Sequence, residues 1–348
     1  MIVERIEIYG EHEYSYPSAF GFRPFFMAYR HEDEKIRPAI LIIPGGGYEF
    51  VSSREGEIVA KRFFSKGYNA FVLVYTVNPM DFAPLKMQAL GDAARAMRML
   101  RAGSDRFGID PRKIAVLGFS AGGHLAASLA VHHMDAQESD PDLAAFSARP
   151  DFSVLSYPVI SMTDTHNGTI KALVGITREE AESEGKMKEA AFGPYAMPGC
   201  VTIEDELHYA SLETQVTEDV PPTFLWHTST DASVPVSNSL RYAEALKNHG
   251  IRYSLHIFSR GKHGLSLANE EWADHRNSPD YTYEQCRNFT KAADRGELGL
   301  DDETIRLLHK NDHFGTGITE RNDVPVFEVT VWPEMVHAFI ADVLGLAR

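Results

Sequence analysis

Gly118-Phe119-Ser120-Ala121-Gly122 carries the strongest chemical signal in the chain. It follows the strand-like run Ile114–Leu117 and opens a helical stretch through Gly123 and His124. A serine in a G-x-S-x-G turn between strand and helix sits on a strained bend that lifts its hydroxyl off the sheet. The flanking glycines let the chain turn without Cβ clashes, and a helix N-terminus favours negative charge as it develops. The bare pentapeptide would pass for an ordinary Gly/Ser turn. With a strand before it and a helix after it, Ser120 reads as a nucleophile.

A serine hydroxyl needs a base to attack. Nucleophiles of this strand–turn–helix kind are followed along the chain by an acid and then a histidine. Among fifteen histidines, His263 stands directly after the last core-strand candidate, in Gly261-Lys262-His263-Gly264. Glycines on both sides let that loop bring the imidazole over Ser120. His256 lies inside the strand pattern and reads as structural. His309 and His313 have helical metal-pair spacing but no evident third ligand, and read as a solvated helix face. His124 reads equally as a site-lining residue and as a structural one at the helix start. The acid candidate is Asp231, in Thr230-Asp231-Ala232-Ser233-Val234-Pro235, after the strand candidate Phe224-Leu225-Trp226-His227. Alone it would pass for a turn or an N-cap. At a strand end, between Ser120 and His263 in the chain, it reads as the group that holds the imidazole in its reactive tautomer. Asp219 precedes that strand and falls on the wrong edge of the sheet. Finally, Pro44-Gly45-Gly46-Gly47-Tyr48 follows the apolar run Ala39–Ile43. Acyl transfer needs backbone N–H groups aimed at the developing oxyanion. The donors expected are Ala121 and Gly46 or Gly47. A phosphate-binding loop would want Gly-Lys-Ser/Thr, which is absent.

The elements that must position these residues alternate between two periodicities. Val3–Ile8 and Phe25–Tyr29 read as strands, as do the buried runs Ala39–Ile43 and Ala70–Tyr75. Ile114–Leu117, Phe152–Tyr157, Thr223–His227 and Tyr253–Phe258 complete about eight. Ser52 and Glu55 fit a capping box for a helix through Val59 and Phe63. Leu90, Ala93, Met97 and Leu100 mark another helix, and Ala121–Val131 the next. Tyr242–Leu246 lies on a helix ended by Gly250, and Val336, Phe339, Ile340 and Val343 mark the last. This rhythm predicts an α/β fold, a mostly parallel sheet with helices on both faces, opening with antiparallel strands where no helix intervenes. One domain over 1–348 is expected. Two segments, 161–219 and 268–330, break the rhythm and read as inserted cap segments over the site. The second carries Trp272, Tyr281, Tyr283 and Phe289, and a short helix is expected over Asp301–Lys310.

Composition narrows the function classes. Lys plus Arg is 34 and Asp plus Glu is 49, a formal charge of −15 over 348 residues. That balance argues against nonspecific nucleic-acid binding and against docking on an anionic membrane. Hydrophobic content of 44% and charged content of 24% are ordinary for a globular chain and exclude wholesale disorder. Cys200 and Cys286 make neither a disulfide framework nor a zinc finger, and their scarcity suits a reducing compartment. Charged residues interrupt the N-terminal segment, so no signal-peptide core is expected there. No stretch reaches the roughly 18 apolar residues of a membrane helix. The expectation is a soluble, cytoplasmic protein with no metal and no organic cofactor.

Taken together, the elbow, the Asp–His pair and the glycine loop resemble the α/β-hydrolase superfamily, from about Pro38 to His263 and again over the last helix. With Ser53-Arg54-Glu55-Gly56-Glu57, GFSAGGHLAAS, PPTFLWHT, Asp231-x-x-Val234-Pro235 and KHGLSLA, the chain is similar to the acetyl-esterase/xylan-esterase-like serine esterase branch. The resemblance implies an α/β-hydrolase fold and hydrolysis of short-chain carboxylic esters, often acetylated sugars, through an acyl-enzyme. It carries the nucleophile to Ser120, the acid to Asp231 and the base to His263. The oxyanion donors carry to Gly46, Gly47 and Ala121, with Tyr48 beside them as a substrate-binding residue. The chain departs from the HGGG of hormone-sensitive-lipase-like esterases at Pro44, and in its two long segments, which bear on substrate more than on reaction type. The implied partner is a small-molecule ester such as an acetylated sugar, and assembly into a homo-oligomer is left open. A small peptidase or amidase would use the same triad. A catalytically silent relative acting as a binding protein usually lacks a triad member, whereas all three are present here.

Overall fold

In the computed structural model, which describes residues 1–189, 197–274, 279–310 and 323–344, eight strands form one sheet in the order β1-β2-β4-β3-β5-β6-β7-β8. They are β1 (Ile2–Glu7), β2 (Phe25–Arg30), β3 (Arg37–Ile43), β4 (Asn69–Val74), β5 (Ile109–Phe119), β6 (Phe152–Ser156), β7 (Thr223–Thr228) and β8 (Tyr253–Phe258). β1 and β2 pair antiparallel, as do β2 and β4. Every pairing from β4 through β3 to β8 is parallel. The expected architecture is therefore present, antiparallel opening included.

The central strands read as unbroken apolar runs because both faces are covered. Along β3, Leu41 and Ile43 enter one core while Ile40 and Ile42 enter the other. β5 divides in the same way, with Ile114 and Val116 on one side and Ala115, Leu117 and Phe119 opposite. The first core takes Leu90, Ala93 and Met97 from the helix Gln88–Ala102 and Leu125 and Leu129 from Ser120–Val131. It also takes Tyr242 and Leu246 from Ser237–Asn248. The second takes Val59 and Phe63 from Glu57–Phe64 and Trp332, Val336 and Ile340 from Trp332–Val343. Such two-sided burial holds the strand ends at fixed positions, and the parallel strands bring their carboxyl ends to one edge, where a site can be built.

One local expectation fails. Ser52 makes no side-chain cap, and Ser53–Glu55 instead forms a 3₁₀ turn before the helix Glu57–Phe64. The Glu55 carboxylate does not fold back to Ser52. It accepts hydrogen bonds from the Gly45 N–H (2.8 Å) and the Tyr157 hydroxyl (2.6 Å). Buried donors outcompete a local cap, because an unmatched buried N–H costs more than an exposed one.

The segment 161–219 contributes the helices Asn167–Val174, Arg178–Ser183 and Ile203–Tyr209. The segment 268–330 contributes Glu270–Ala273, Glu284–Asp294 and Asp302–Lys310, the last within one residue of expectation. Phe289 packs with Leu308 and Phe20 in a separate small cluster. Among the described residues no helix is long and apolar enough to cross a membrane.

Candidate active site

β5 ends at Phe119, and the next residue, Ser120, begins the helix Ser120–Val131 with φ +54°. A non-glycine residue in the left-handed region stores strain that its surroundings must hold. The surroundings here are tight. A Cβ placed on Gly122 would lie 2.2 Å from the Ile43 carbonyl oxygen and 2.3 Å from that of Pro44. Only glycine lets the elbow press this closely against the end of β3.

Two loops meet that serine. The loop after β8 brings His263, whose Nε2 lies 2.7 Å from Ser120 Oγ. The loop after β7 brings Asp231, whose Oδ2 lies 2.6 Å from His263 Nδ1. A carboxylate only accepts, so Nδ1 carries the proton and Nε2 is left to accept from the serine hydroxyl. Asp231 Oδ1 accepts from the amides of Ser233 and Val234 at 2.9 and 3.0 Å. Burial pushes the carboxyl toward its neutral form, but the imidazoles of His227 and His263 and the Val234 amide outweigh it. They hold the carboxyl well below the usual carboxylate range. His227, buried under this loop, donates from Nε2 to the Val234 carbonyl (3.0 Å) and bonds Ser239 Oγ through Nδ1 (2.8 Å). Sequence reading assigned it only to a strand; its support of the acid loop depends on packing that no local pattern reveals.

The glycine loop lies against the elbow. A Cβ on Gly45 would fall 2.8 Å from Ser120 Cβ and 2.7 Å from the Phe119 carbonyl oxygen. Gly46 and Gly47 have φ of +124° and +66°. Their amides have no acceptor among the described residues. Ala121, buried in the first helical turn, has an amide without an intrahelical partner by position. This arrangement can deprotonate a hydroxyl, relay the proton, and offer N–H groups to negative charge on a neighbouring oxygen.

Tyr48 departs from expectation. With φ +66° its ring turns into the fold and is fully buried, and its hydroxyl donates to His124 Nδ1 at 2.8 Å. That contact braces the glycine loop against the helix Ser120–Val131. His124 Nε2 donates to the Ala210 carbonyl (2.8 Å), which fixes its tautomer and ties the segment 161–219 to the helix Ser120–Val131. Burial lowers the His124 pKa to about 4, so it is neutral near pH 7. Of its two readings, the structure takes the structural one. His256 stacks on Phe224 at 5.0 Å, inside β8 as expected. His309 pairs with Asp294 (2.7 Å), and His313 lies outside the described residues. Among the described residues no group of three His, Cys, Asp or Glu is placed to hold a metal ion.

A serine elbow, an acid and a histidine at the carboxyl edge of this sheet define the α/β-hydrolase class. The chain belongs to the BD-FAE family, whose model matches residues 27–246. It is 40% identical over 282 residues to endo-1,4-beta-xylanase B of Butyrivibrio fibrisolvens, covering 81% of this chain and 41% of that protein. It is 28% identical over 233 residues to an acetylxylan esterase of Xylanibacter ruminicola, covering 66% of this chain and 41% of that protein. The chain thus spans about two fifths of the length of these two curated relatives. Among solved structures it resembles an acetyl ester-xyloside bifunctional hydrolase from Caldicellulosiruptor lactoaceticus. That match has 35% identity and a TM-score of 0.65, over 84% of this chain and 96% of that one. A carboxylesterase from Lactobacillus plantarum, 20% identical with a TM-score of 0.64 over 99% of this chain and 98% of that one, shares the fold.

Proposed function

We propose that this chain is a serine carboxylesterase that removes short acyl groups, acetyl above all, from hydroxyls of sugars. The observation that carries this reading is the continuous relay from Ser120 Oγ through His263 Nε2 and Nδ1 to Asp231 Oδ2. The names of the acetylxylan esterase and the acetyl ester-xyloside hydrolase support the substrate class.

In this mechanism Ser120 Oγ attacks the ester carbonyl carbon as His263 Nε2 takes its proton. The carbonyl oxygen becomes an oxyanion, met by the amides of Gly46 or Gly47 and of Ala121. Collapse breaks the bond to the alcohol oxygen, which leaves with the proton from Nε2. A water then attacks the acyl-serine, gives its proton to the same nitrogen, and the acid departs as Ser120 regains its hydrogen. Asp231 stays ionised throughout and stabilises the imidazolium. In this scheme Tyr48 positions the glycine loop. The described residues of the segments 161–219 and 268–330 act as a cap over the site. Thr169 Oγ1 lies 3.8 Å from where a Gly47 Cβ would stand, and Tyr283 stacks on Phe50 at 6.2 Å. Both contacts support that placement.

The test is p-nitrophenyl acetate and acetylated-sugar hydrolysis by the wild type and by Ser120→Ala, with an acyl-anilide as the amide control. The expected result is ester turnover without comparable anilide turnover, reduced by several orders of magnitude in a folded Ser120→Ala protein. Turnover by that variant near the wild-type level would overturn the assignment, and efficient anilide cleavage would shift it to an amidase.

A further inference from the structure

The 3₁₀ turn Ser53–Glu55, at the far end of the connection from β3 that opens with the glycine loop, reaches both loops that flank Ser120. On one side, Glu55 Oε2 accepts from the Gly45 amide at 2.8 Å. On the other, Glu55 Oε1 accepts from the Tyr157 hydroxyl at 2.6 Å, and that hydroxyl oxygen accepts from the Ser266 amide at 2.9 Å. The Tyr157 ring stands edge-on to the His263 imidazole, with centroids 5.0 Å apart and planes at 70°. Arg54 of the same turn lies over the Trp272 ring at 4.3 Å and donates to the Trp272 carbonyl. The Trp272 indole N–H in turn donates to the carbonyl of Gly264, next to His263.

Glu55 and Tyr157 are both buried. A buried carboxylate is tolerated when its oxygens are matched by donors, and here the donors come from opposite sides of the site. Tyr157 also has φ +37°, a strained value for an aromatic residue. Such a backbone persists where side-chain bonds hold it. Geometry at the reacting atoms depends on sub-ångström placement of groups on separate loops. A strut that joins those loops directly sets their spacing independently of the sheet.

We propose that Glu55 and Tyr157 are positioning residues that act as one strut, setting the glycine loop at Gly45 and the histidine loop at Ser266 in a fixed mutual geometry. The catalytic side of this inference rests on the esterase reading. The strut holds the oxyanion amides and the His263 imidazole in register with Ser120, and touches no substrate. Tyr157→Phe removes one hydroxyl and leaves the ring, so it frees Glu55 Oε1 and the Ser266 amide together.

The experiment compares wild type, Tyr157→Phe, Glu55→Gln and Ser120→Ala by amide hydrogen exchange and by p-nitrophenyl acetate kinetics. In Tyr157→Phe, exchange at Gly45 and Ser266 is expected to speed up about tenfold or more, as expected for loss of a buried hydrogen bond. The same variant should lose about 10- to 100-fold in kcat with KM within about threefold, because the strut acts on the transition state rather than on binding. Glu55→Gln keeps one oxygen for Gly45 and should show the same split with a smaller loss, which covers the case of an unfolded Tyr157→Phe. Ser120→Ala should keep wild-type exchange at Gly45 and Ser266 while losing turnover. An inactive wild type would therefore sink the esterase reading and leave the exchange comparison to decide the strut. Exchange at Gly45 unchanged in a folded strut variant, or kcat within about twofold of wild type, overturns the proposal.

Discussion

Asp231 and Gly45 each act through the space around one atom. Asp231 gives one oxygen to His263 and the other to two loop amides, so its replacement changes the tautomer more than the fold. Asp231→Asn should lower kcat by about 10³- to 10⁴-fold with little change in KM. The Asp231 carboxyl is held well below the usual range by its hydrogen bonds, against burial. The carboxylate therefore stays ionised across any working pH, and the loss should appear at every pH from 5 to 9. A variant whose activity recovers toward alkaline pH would show that the residue tunes a proton equilibrium rather than a geometry. Gly45 is held by contact. A methyl group there would meet the Phe119 carbonyl oxygen and Ser120 Cβ at under 3 Å. Gly45→Ala should cost about 1–3 kcal/mol of stability and on the order of 10² in kcat/KM, read by urea midpoint and ester kinetics on one sample.

At the scale of elements, the helix Ser120–Val131 carries a buried histidine as well as the serine. His124 joins Tyr48 under the glycine loop to Ala210 of the segment 161–219. Its folded pKa is lowered by burial to about 4, below the ordinary value near 6.5. As pH falls from 6.5 toward 4, the unfolded chain takes up a proton that the folded one refuses. Stability from neutral His124 is full above about 6.5 and is lost toward 4, at most about 3 kcal/mol. Asp92, raised to about 6 mainly by burial, titrates with the opposite sign. It cancels in the difference between wild type and His124→Gln, so that difference should shrink steadily over this window. A gap independent of pH would place the proton elsewhere. The strands were legible because runs such as Ala39–Ile43 and Ala70–Tyr75 are apolar on both faces, and a strand end followed by glycine announces a loop. That Ser120 and Asp231 would stand at one edge of the sheet was legible because each follows such a run, and His263 because it follows the last strand. Glu55 was not. Ser52-x-x-Glu55 is a local pattern with a local meaning, while its actual partners stand 10 and 102 residues away. The inward turn of the Tyr48 ring was hidden for a related reason: adjacency to a glycine loop says nothing of which way a ring turns.

The molecule as a whole carries a formal charge of −15. On the proposed esterase reading, that field should discriminate among sugars by charge before contact. At low ionic strength, an acetylated uronate should show a lower kcat/KM than a neutral acetylated sugar of the same size. The gap should narrow between about 0.02 and 0.5 M salt, where the screening length falls below the size of the site. A salt-independent ratio would assign the discrimination to contacts instead. Dialysis against a chelator should leave ester turnover unchanged, and restoration by one divalent ion of an activity so lost would reveal a metal site. Finally, Ser120 holds a left-handed backbone at φ +54°, a conformation that costs most L-residues about 1–2 kcal/mol. Alanine at this position keeps that cost, whereas glycine sheds it, inverting the usual order in which glycine is the less stable of the two. Ser120→Gly should therefore melt above Ser120→Ala, both being inactive. The fold is then less durable than one substitution would make it, and a laboratory selection for heat resistance alone would tend to discard the proposed nucleophile.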